Sequence, residues 1–344
     1  MSGAVLVTGG TGFIGSHVAV DLIEHGRNVV LIDNLANSSS VVVDRIAAVT
    51  GERPVFEQVD VTDRRALTSV IDHHSPAAVV HCAGLKAVGE SVSEPLRYYT
   101  TNIGGTLSLL AAMEQVGVRH LVFSSSATVY GDPIRLPIDE DHPIAPTNPY
   151  GRTKAHVERM LADLAAADDR WRIIALRYFN PVGAHHSGQL GEDPRAGANN
   201  LMPRVLDVAS GKGQAITVWG DDWDTPDGTG VRDYLHVMDL AAGHRAALDE
   251  LSAVGPYQAI NLGTGTGYSV LDVISAVRAV SGRPVPLRLE PRRPGDIASC
   301  RADPSRAKEL LGWQADRTLA DMCRDAWQWC SANPHGYPPA QTQP

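Results

Sequence analysis

The sequence predicts an α/β fold, a doubly wound parallel sheet carrying a smaller α/β lobe, and three observations lead there. Short β-branched runs alternate with longer amphipathic stretches through the first half of the chain. Some runs, such as Val29-Val30-Leu31-Ile32, are apolar throughout, as parallel strands covered on both faces require. The first run leads directly into a glycine-rich turn and a helical pattern, the usual opening of a nucleotide-binding βα unit.

Strands are expected over residues 4–8, 28–33, 55–60, 77–83, 120–125 and 173–178. After Asn180-Pro181 the composition turns to Gly, Pro, His, Asp and Asn through residue 233, which suits loops that bind a ligand. Residues 257–262 and 269–280 read again as strand and helix. Residues 1–180 are therefore expected to form the dinucleotide-binding domain, rejoined by parts of 234–265, with residues 181–338 forming mainly the second lobe.

The glycines define the first site. Gly9, Gly12 and Gly15 form G-x-x-G-x-x-G between the first strand and the helix that begins at Phe13. Glycine permits the tight turn and lets a pyrophosphate approach free N–H groups at a helix N-terminus. Asp33 closes the second strand at the distance where a carboxylate meets the adenosine ribose, and it would repel a 2′-phosphate, so NAD is expected over NADP. Asp60 closes the third strand, near where an adenine would lie. Ala83-Gly84-Leu85-Lys86 closes the fourth, where Lys86 is either a phosphate ligand or a solvated loop lysine.

Tyr150-Gly-Arg-Thr-Lys154 supplies the second site. Side chains at i and i+4 share one helix face, so the ammonium can favour the phenolate that a general base needs. Alone, this spacing is common on exposed helices; its weight comes from the glycine turn upstream.

Composition narrows the partners. The formal charge is 30 − 39 = −9, which argues against nucleic acid or an anionic membrane, so an anionic substrate needs a local Arg cluster. Cys82, Cys300, Cys323 and Cys330 have neither metal spacing nor a dense disulfide pattern. Cys323 and Cys330 follow a helical period as core residues of a reducing compartment. His73-His74 and His185-His186 lack ligand-spaced partners, and no metal is expected. The chain shows no signal-peptide pattern and no run of about 18 apolar residues, so a cytoplasmic location is expected.

Several segments carry a family resemblance. They are the glycine turn, Ser124-Ser125-Ser126-Ala127-Thr128-Val129-Tyr130-Gly131, Pro149-Tyr150-Gly151-Arg152-Thr153-Lys154, GLKAVGESV from Gly84, LRYFNPVGAH from Leu176, NNLMP from Asn199 and GVRDYLHVMDL from Gly230. Together they resemble the UDP-glucose 4-epimerases of the extended short-chain dehydrogenase/reductase superfamily, from about residue 3 to about 338, with a Rossmann domain and a UDP-sugar lobe. The resemblance implies that Tyr150 is the acid/base, that Lys154 tunes it and positions the nicotinamide ribose, and that Ser126 hydrogen-bonds the reacting sugar oxygen. It implies NAD contacts at Phe13, Ile14, Asn34, Leu35, Asn37 and Ser38, besides Gly9, Gly12, Gly15 and Asp33. Further contacts are implied at Asp60, Val61, Cys82, Ala83, Gly84, Lys86, Thr101 and Phe179.

For the UDP-hexose it implies Lys86, Asn180, Asn200, Leu201, Thr217, Val218 and Trp219, with Arg232, Arg293 and Asp296 at the diphosphate and uridine, beside Ser126 and Tyr150. It further implies a homodimer. Two departures stand out. Thr101 occupies a position where the family often has Asn, and Cys300 one where some members place a bulky Tyr against the sugar. A small residue there implies room for a 2-acetamido group, hence UDP-GlcNAc and UDP-GalNAc beside UDP-glucose and UDP-galactose. A 4,6-dehydratase would need carboxylates just after the hydroxyl residue, where Ala127-Thr128-Val129 stand, and a non-enzymatic NAD sensor would usually lose Tyr150 or Lys154.

Overall fold

The computed structural model describes residues 3–193, 200–293 and 295–338. Its main feature is a 7-stranded sheet in the order β11-β6-β5-β4-β1-β2-β3. The strands are β1 (Val5–Thr8), β2 (Val29–Asp33), β3 (Val55–Gln58), β4 (Ala78–His81), β5 (His120–Ser126), β6 (Arg172–Tyr178) and, far along the chain, β11 (Tyr257–Leu262). Every neighbouring pair is parallel. The six expected strands all form, and residues 257–262 add the seventh beside β6. The third and fourth are shorter than expected: the chain leaves β3 before Asp60 and β4 before Cys82 to form loops at the carboxyl edge.

Alternation along each strand sends side chains to two cores. Val5, Val7 and Leu31 pack with α1 (Phe13–Glu24), α2 (Val41–Thr50), α9 (Val237–Glu250) and α11 (Ser305–Leu311) on one face. Leu6, Val30 and Ile32 pack on the other with α3 (Arg64–His74), α6 (Gly105–Val116) and α7 (Pro149–Ala167). Leu6 and Leu31 are wholly buried, each worth about 1.5–3 kcal/mol relative to exposure. Helices α4 (Val88–Ser93) and α5 (Pro95–Tyr98) lead through a π-helical turn at Tyr99–Gly104 into α6.

The remaining elements build a smaller lobe with its own core. It contains α8 (Leu201–Ala209), β8 (Ile216–Trp219) paired with β13 (Leu287–Glu290), α10 (Val270–Ser281) and α12 (Leu319–Ala332). Capping boxes at Ser269 and Thr318 fix the starts of α10 and α12 by satisfying free N–H groups. Two short sheets connect the lobe to the main sheet. In one, β7 (Asn180–Val182) pairs with β10 (Tyr234–His236); in the other, β9 (Val231–Arg232) lies between β12 (Tyr268–Ser269) and β14 (Ser299–Cys300). The order 3-2-1-4 places a topological switch between β1 and β4, the position where open α/β sheets bind ligands.

Candidate active site

The glycine turn sits at that switch. Gly9 has φ +66°, and a Cβ on it would meet Ala83 N at 2.8 Å, so only glycine lets the turn press against the loop after β4. A Cβ on Gly15 would meet Gly9 O at 2.2 Å, which fixes the close approach of α1 to the turn. Gly12 is the N-cap of α1, and that helix has neither a side-chain cap nor an acidic residue in its first turn. A Cβ at Gly12 would touch only Gly9 O, at 3.2 Å, so the N-terminus is open on its outer side.

Asp33 ties the neighbouring loop to this turn. Its Oδ1 accepts from Leu35 N and the Ser38 hydroxyl, both at 2.9 Å, while Oδ2 accepts from Thr11 N at 3.2 Å. A carboxylate has about four acceptor positions, so one on Oδ2 stays open for a ribose hydroxyl. Asn34 donates to Asp60 Oδ2 at 2.7 Å, and Thr62 donates to Oδ1. Partial burial pushes the Asp60 carboxyl up, but these hydrogen bonds outweigh it and hold the group below its ordinary value. Val61 is buried against Gly105, whereas Ala36 and Asn37 are exposed on the loop. These features fit a dinucleotide: free N–H groups for a pyrophosphate, a spare acceptor for a ribose, and carboxylates where a 2′-phosphate would be repelled.

The second group gathers at the end of β5. Tyr150 and Lys154 share the buried face of α7 and are 6% and 5% exposed. Burial pushes the Tyr150 phenol above its ordinary value, and a hydrogen bond with Ser126 partly offsets this. Ser126 Oγ also accepts from Thr128 N at 3.2 Å and Thr128 Oγ1 at 3.0 Å, which leaves its proton to donate. The Lys154 ammonium donates to Ser124 O at 2.7 Å and lies 4.7 Å above the Phe123 ring. It reaches the strand rather than the phenol, so any influence on Tyr150 acts through space. Burial lowers its pKa to about 8.

Asn102, which the sequence reading passed over in favour of Thr101, organises this region. Its amide grips both backbone groups of Leu85, accepting from N at 2.8 Å and donating to O at 3.1 Å. It also donates to Thr153 Oγ1 at 3.0 Å, and that hydroxyl donates to Tyr150 O at 2.7 Å. One side chain thus couples the loop after β4 to the helix carrying Tyr150. Thr101 lies beside it in the π-helical turn. Ala83 N donates to Thr8 Oγ1, beneath the loop, and Cys82 lies against Ser124, its thiol pushed up to about 11 by burial. Among the described residues no cluster of His, Cys, Asp and Glu is arranged to hold a metal.

The small sheets bring the remaining residues to the same edge. Phe179 is buried with Val129 and Tyr130, and Ala127 and Cys300 pack on that cluster, which puts Cys300 beside the turn that follows Ser126. Arg232 pairs in register with Cys300, and its Nη1 donates to Val231 O and Ile297 O, both at 2.9 Å. Arg293 lies 5.7 Å over the Trp219 ring and pairs with Asp296 at 2.9 Å. Asn180 is exposed at the start of β7 and Asn200 at the N-cap of α8, followed by Leu201. Thr217 and Val218 stand on β8, Val218 buried in the lobe core. Asn199, the first residue of the segment NNLMP, and Pro294, which follows Arg293, lie outside the described residues. Lys86 is exposed at the rim and pairs with Glu192 at 2.8 Å.

A dinucleotide cradle facing a Tyr-Lys-Ser group on a doubly wound sheet fits a class of enzyme that moves a hydride to and from NAD beside a tyrosine acid/base. The family model described as "NAD dependent epimerase/dehydratase family" matches residues 5–263, and the chain belongs to that family. Within it, the chain is 54% identical over 338 residues to a UDP-glucose 4-epimerase of Bacillus subtilis, covering 98% of this chain and 100% of the relative. A Stenotrophomonas maltophila UDP-glucose 4-epimerase solved with NAD and formylated UDP-arabinopyranose is 50% identical, with a TM-score of 0.94 over 96% of this chain and 98% of the other. The Bifidobacterium longum enzyme, solved with NAD+ and UDP, is 49% identical, with a TM-score of 0.93 over 97% and 100%.

Proposed function

We propose that the chain is a UDP-glucose 4-epimerase, interconverting UDP-glucose and UDP-galactose through a transient 4-keto sugar. The observation that carries this is the meeting of Tyr150, Lys154 and Ser126 with the glycine turn at one sheet edge, in a chain 54% identical to such an enzyme. C4 of a hexose bears an unactivated C–H, so direct deprotonation is unfavourable and oxidation is the easier route to inversion. NAD, when bound, supplies reversible hydride acceptance, which permits inversion with no net redox change.

The chain's own residues handle the proton and the orientation. Tyr150 takes the O4 proton as base and returns it as acid, which asks for a lowered pKa. Burial alone raises it, so the Ser126 hydrogen bond and the through-space charge of Lys154 must act in the opposite sense. The one Ser126 proton serves both partners in turn: it donates to the Tyr150 phenolate, and moves to the sugar oxygen once Tyr150 has taken the O4 proton. Arg232 offers Nε and Nη2, which make no hydrogen bond among the described residues, to the diphosphate, and Arg293, oriented by its Asp296 partner, shares that role.

The same reading assigns residues 1–180, with parts of 234–265, to the NAD domain and mainly 181–338 to the UDP-sugar lobe. The small size of Cys300, packed on the cluster that holds Phe179, supports room for a 2-acetamido group and so extension of the substrates to UDP-GlcNAc and UDP-GalNAc. Val88, Val92 and Leu96, exposed at four-residue spacing, support a homodimer, and the absence of a helix long and apolar enough to cross a membrane among the described residues is compatible with a cytoplasmic enzyme. The test is incubation of purified protein with UDP-galactose, with assays for UDP-glucose, released 4-keto sugar and bound NAD. UDP-glucose formed without net redox supports the reading; a released 4-keto product or no turnover refutes it.

A further inference from the structure

Glu192 is a carboxylate that neither the cofactor nor the sugar chemistry uses, and its setting is built with care. Its backbone carbonyl accepts from Trp329 Nε1 at 3.0 Å. On one side of it, Gly191 N donates to the Tyr337 hydroxyl at 3.1 Å; on the other, Asp193 Oδ2 accepts from Tyr337 N at 3.1 Å. Only glycine fits at 191, because a Cβ there would meet the Trp329 ring at 2.3 Å. Trp329 and Tyr337 themselves pack with ring centroids 4.6 Å apart. Residues 191–193 are thus a strap gripped by the C-terminal part of the chain, and the strap presents one carboxylate.

That carboxylate is 14% exposed and meets Lys86 Nζ at 2.8 Å across 106 residues of sequence. Lys86 in turn lies 5.8 Å from the ring centroid of Phe13, the first residue of α1. The ion pair therefore runs from the strap to the loop after β4, past the N-terminus of the pyrophosphate helix. We propose that Glu192 is a cofactor-retaining residue: with Lys86 it forms a clasp across the glycine turn that slows NAD dissociation. An enzyme with no net redox change gains from a cofactor that stays bound through every cycle, so the inference rests on the NAD-dependent reading above.

The test measures NAD release directly. Wild type, Glu192→Gln, Lys86→Met and the double variant are loaded with labelled NAD, chased with excess unlabelled NAD, and followed for loss of label. The clasp predicts release about fivefold faster in each single variant, as for breaking one partly exposed ion pair. It also predicts no further increase in the double variant, because both changes break the same contact. Release at the wild-type rate in Glu192→Gln, slower release as a freed Lys86 turns to a phosphate, or additive effects in the double variant would each overturn the clasp alone. Wild-type protein that binds no NAD would refute both the clasp and the reading beneath it.

Discussion

Two alanine substitutions in the glycine turn separate folding from cofactor binding. In Gly15→Ala the new Cβ would lie 2.2 Å from Gly9 O and 2.9 Å from Gly9 C, both backbone atoms that cannot rotate away. Turn and helix must move apart, at a cost of about 1–3 kcal/mol or more for overpacking. In Gly12→Ala the nearest atom is Gly9 O at 3.2 Å, and the backbone, at φ −74°, suits alanine. That fold loses only the N-cap preference of glycine over alanine, about 0.5–1 kcal/mol. The methyl group, however, projects into the approach to the α1 N–H groups. Urea denaturation of the NAD-free proteins and calorimetric NAD titration should therefore give different patterns. Gly15→Ala is expected to lose both stability and NAD binding; Gly12→Ala should keep its stability to within about 1 kcal/mol yet bind NAD at least about tenfold more weakly. Wild-type NAD affinity in Gly12→Ala, or equal destabilisation of the two variants, would refute the assignment of this turn to the pyrophosphate.

Lys154→Met has a pH signature. Burial lowers the folded pKa to about 8 from 10.5, so the unfolded chain binds more protons between those values and wild-type stability gains with rising pH there. The burial penalty, about 3 kcal/mol at pH 7, is absent from the Met variant, so the variant's stability relative to wild type should fall by up to that amount from pH 7 to pH 10.5. Urea unfolding of NAD-free protein at both pH values checks this, and a difference independent of pH contradicts it. Cofactor released by denaturation and identified by mass should be NAD; NADP as the major species would overturn the role of Asp33. Cys300→Tyr should block UDP-GalNAc while sparing UDP-galactose, as kcat/KM on both would show; equal loss, or no wild-type turnover of UDP-GalNAc, would remove the gate.

What could be read from the sequence was local. The glycine turn and the Tyr150/Lys154 pair are set by spacings of a few residues, and the strands by unbroken β-branched runs, so both were visible before folding. Contacts that join distant segments were not. Asn102 meets Leu85 and Thr153 across 17 and 51 residues, and nothing in its neighbourhood marks it apart from Thr101. Lys86 read as a phosphate ligand or a free lysine because Glu192 lies 106 residues away. Spacing put Lys154 and Tyr150 on one face, but only the structure turns the ammonium toward Ser124 O. The ends of β3 and β4 were misjudged because apolar residues continue past the last ladder bond into loops at the cofactor edge.

The central claim is that a phenol on α7 moves the sugar proton beside a retained NAD. Turnover of UDP-galactose by Tyr150→Phe, with NAD content measured on the same sample, tests it most directly, because only the phenol oxygen is removed. The account predicts a wild-type complement of NAD and a rate reduced by roughly 10²- to 10⁴-fold. A variant that keeps its NAD and retains more than about a tenth of wild-type turnover would contradict it.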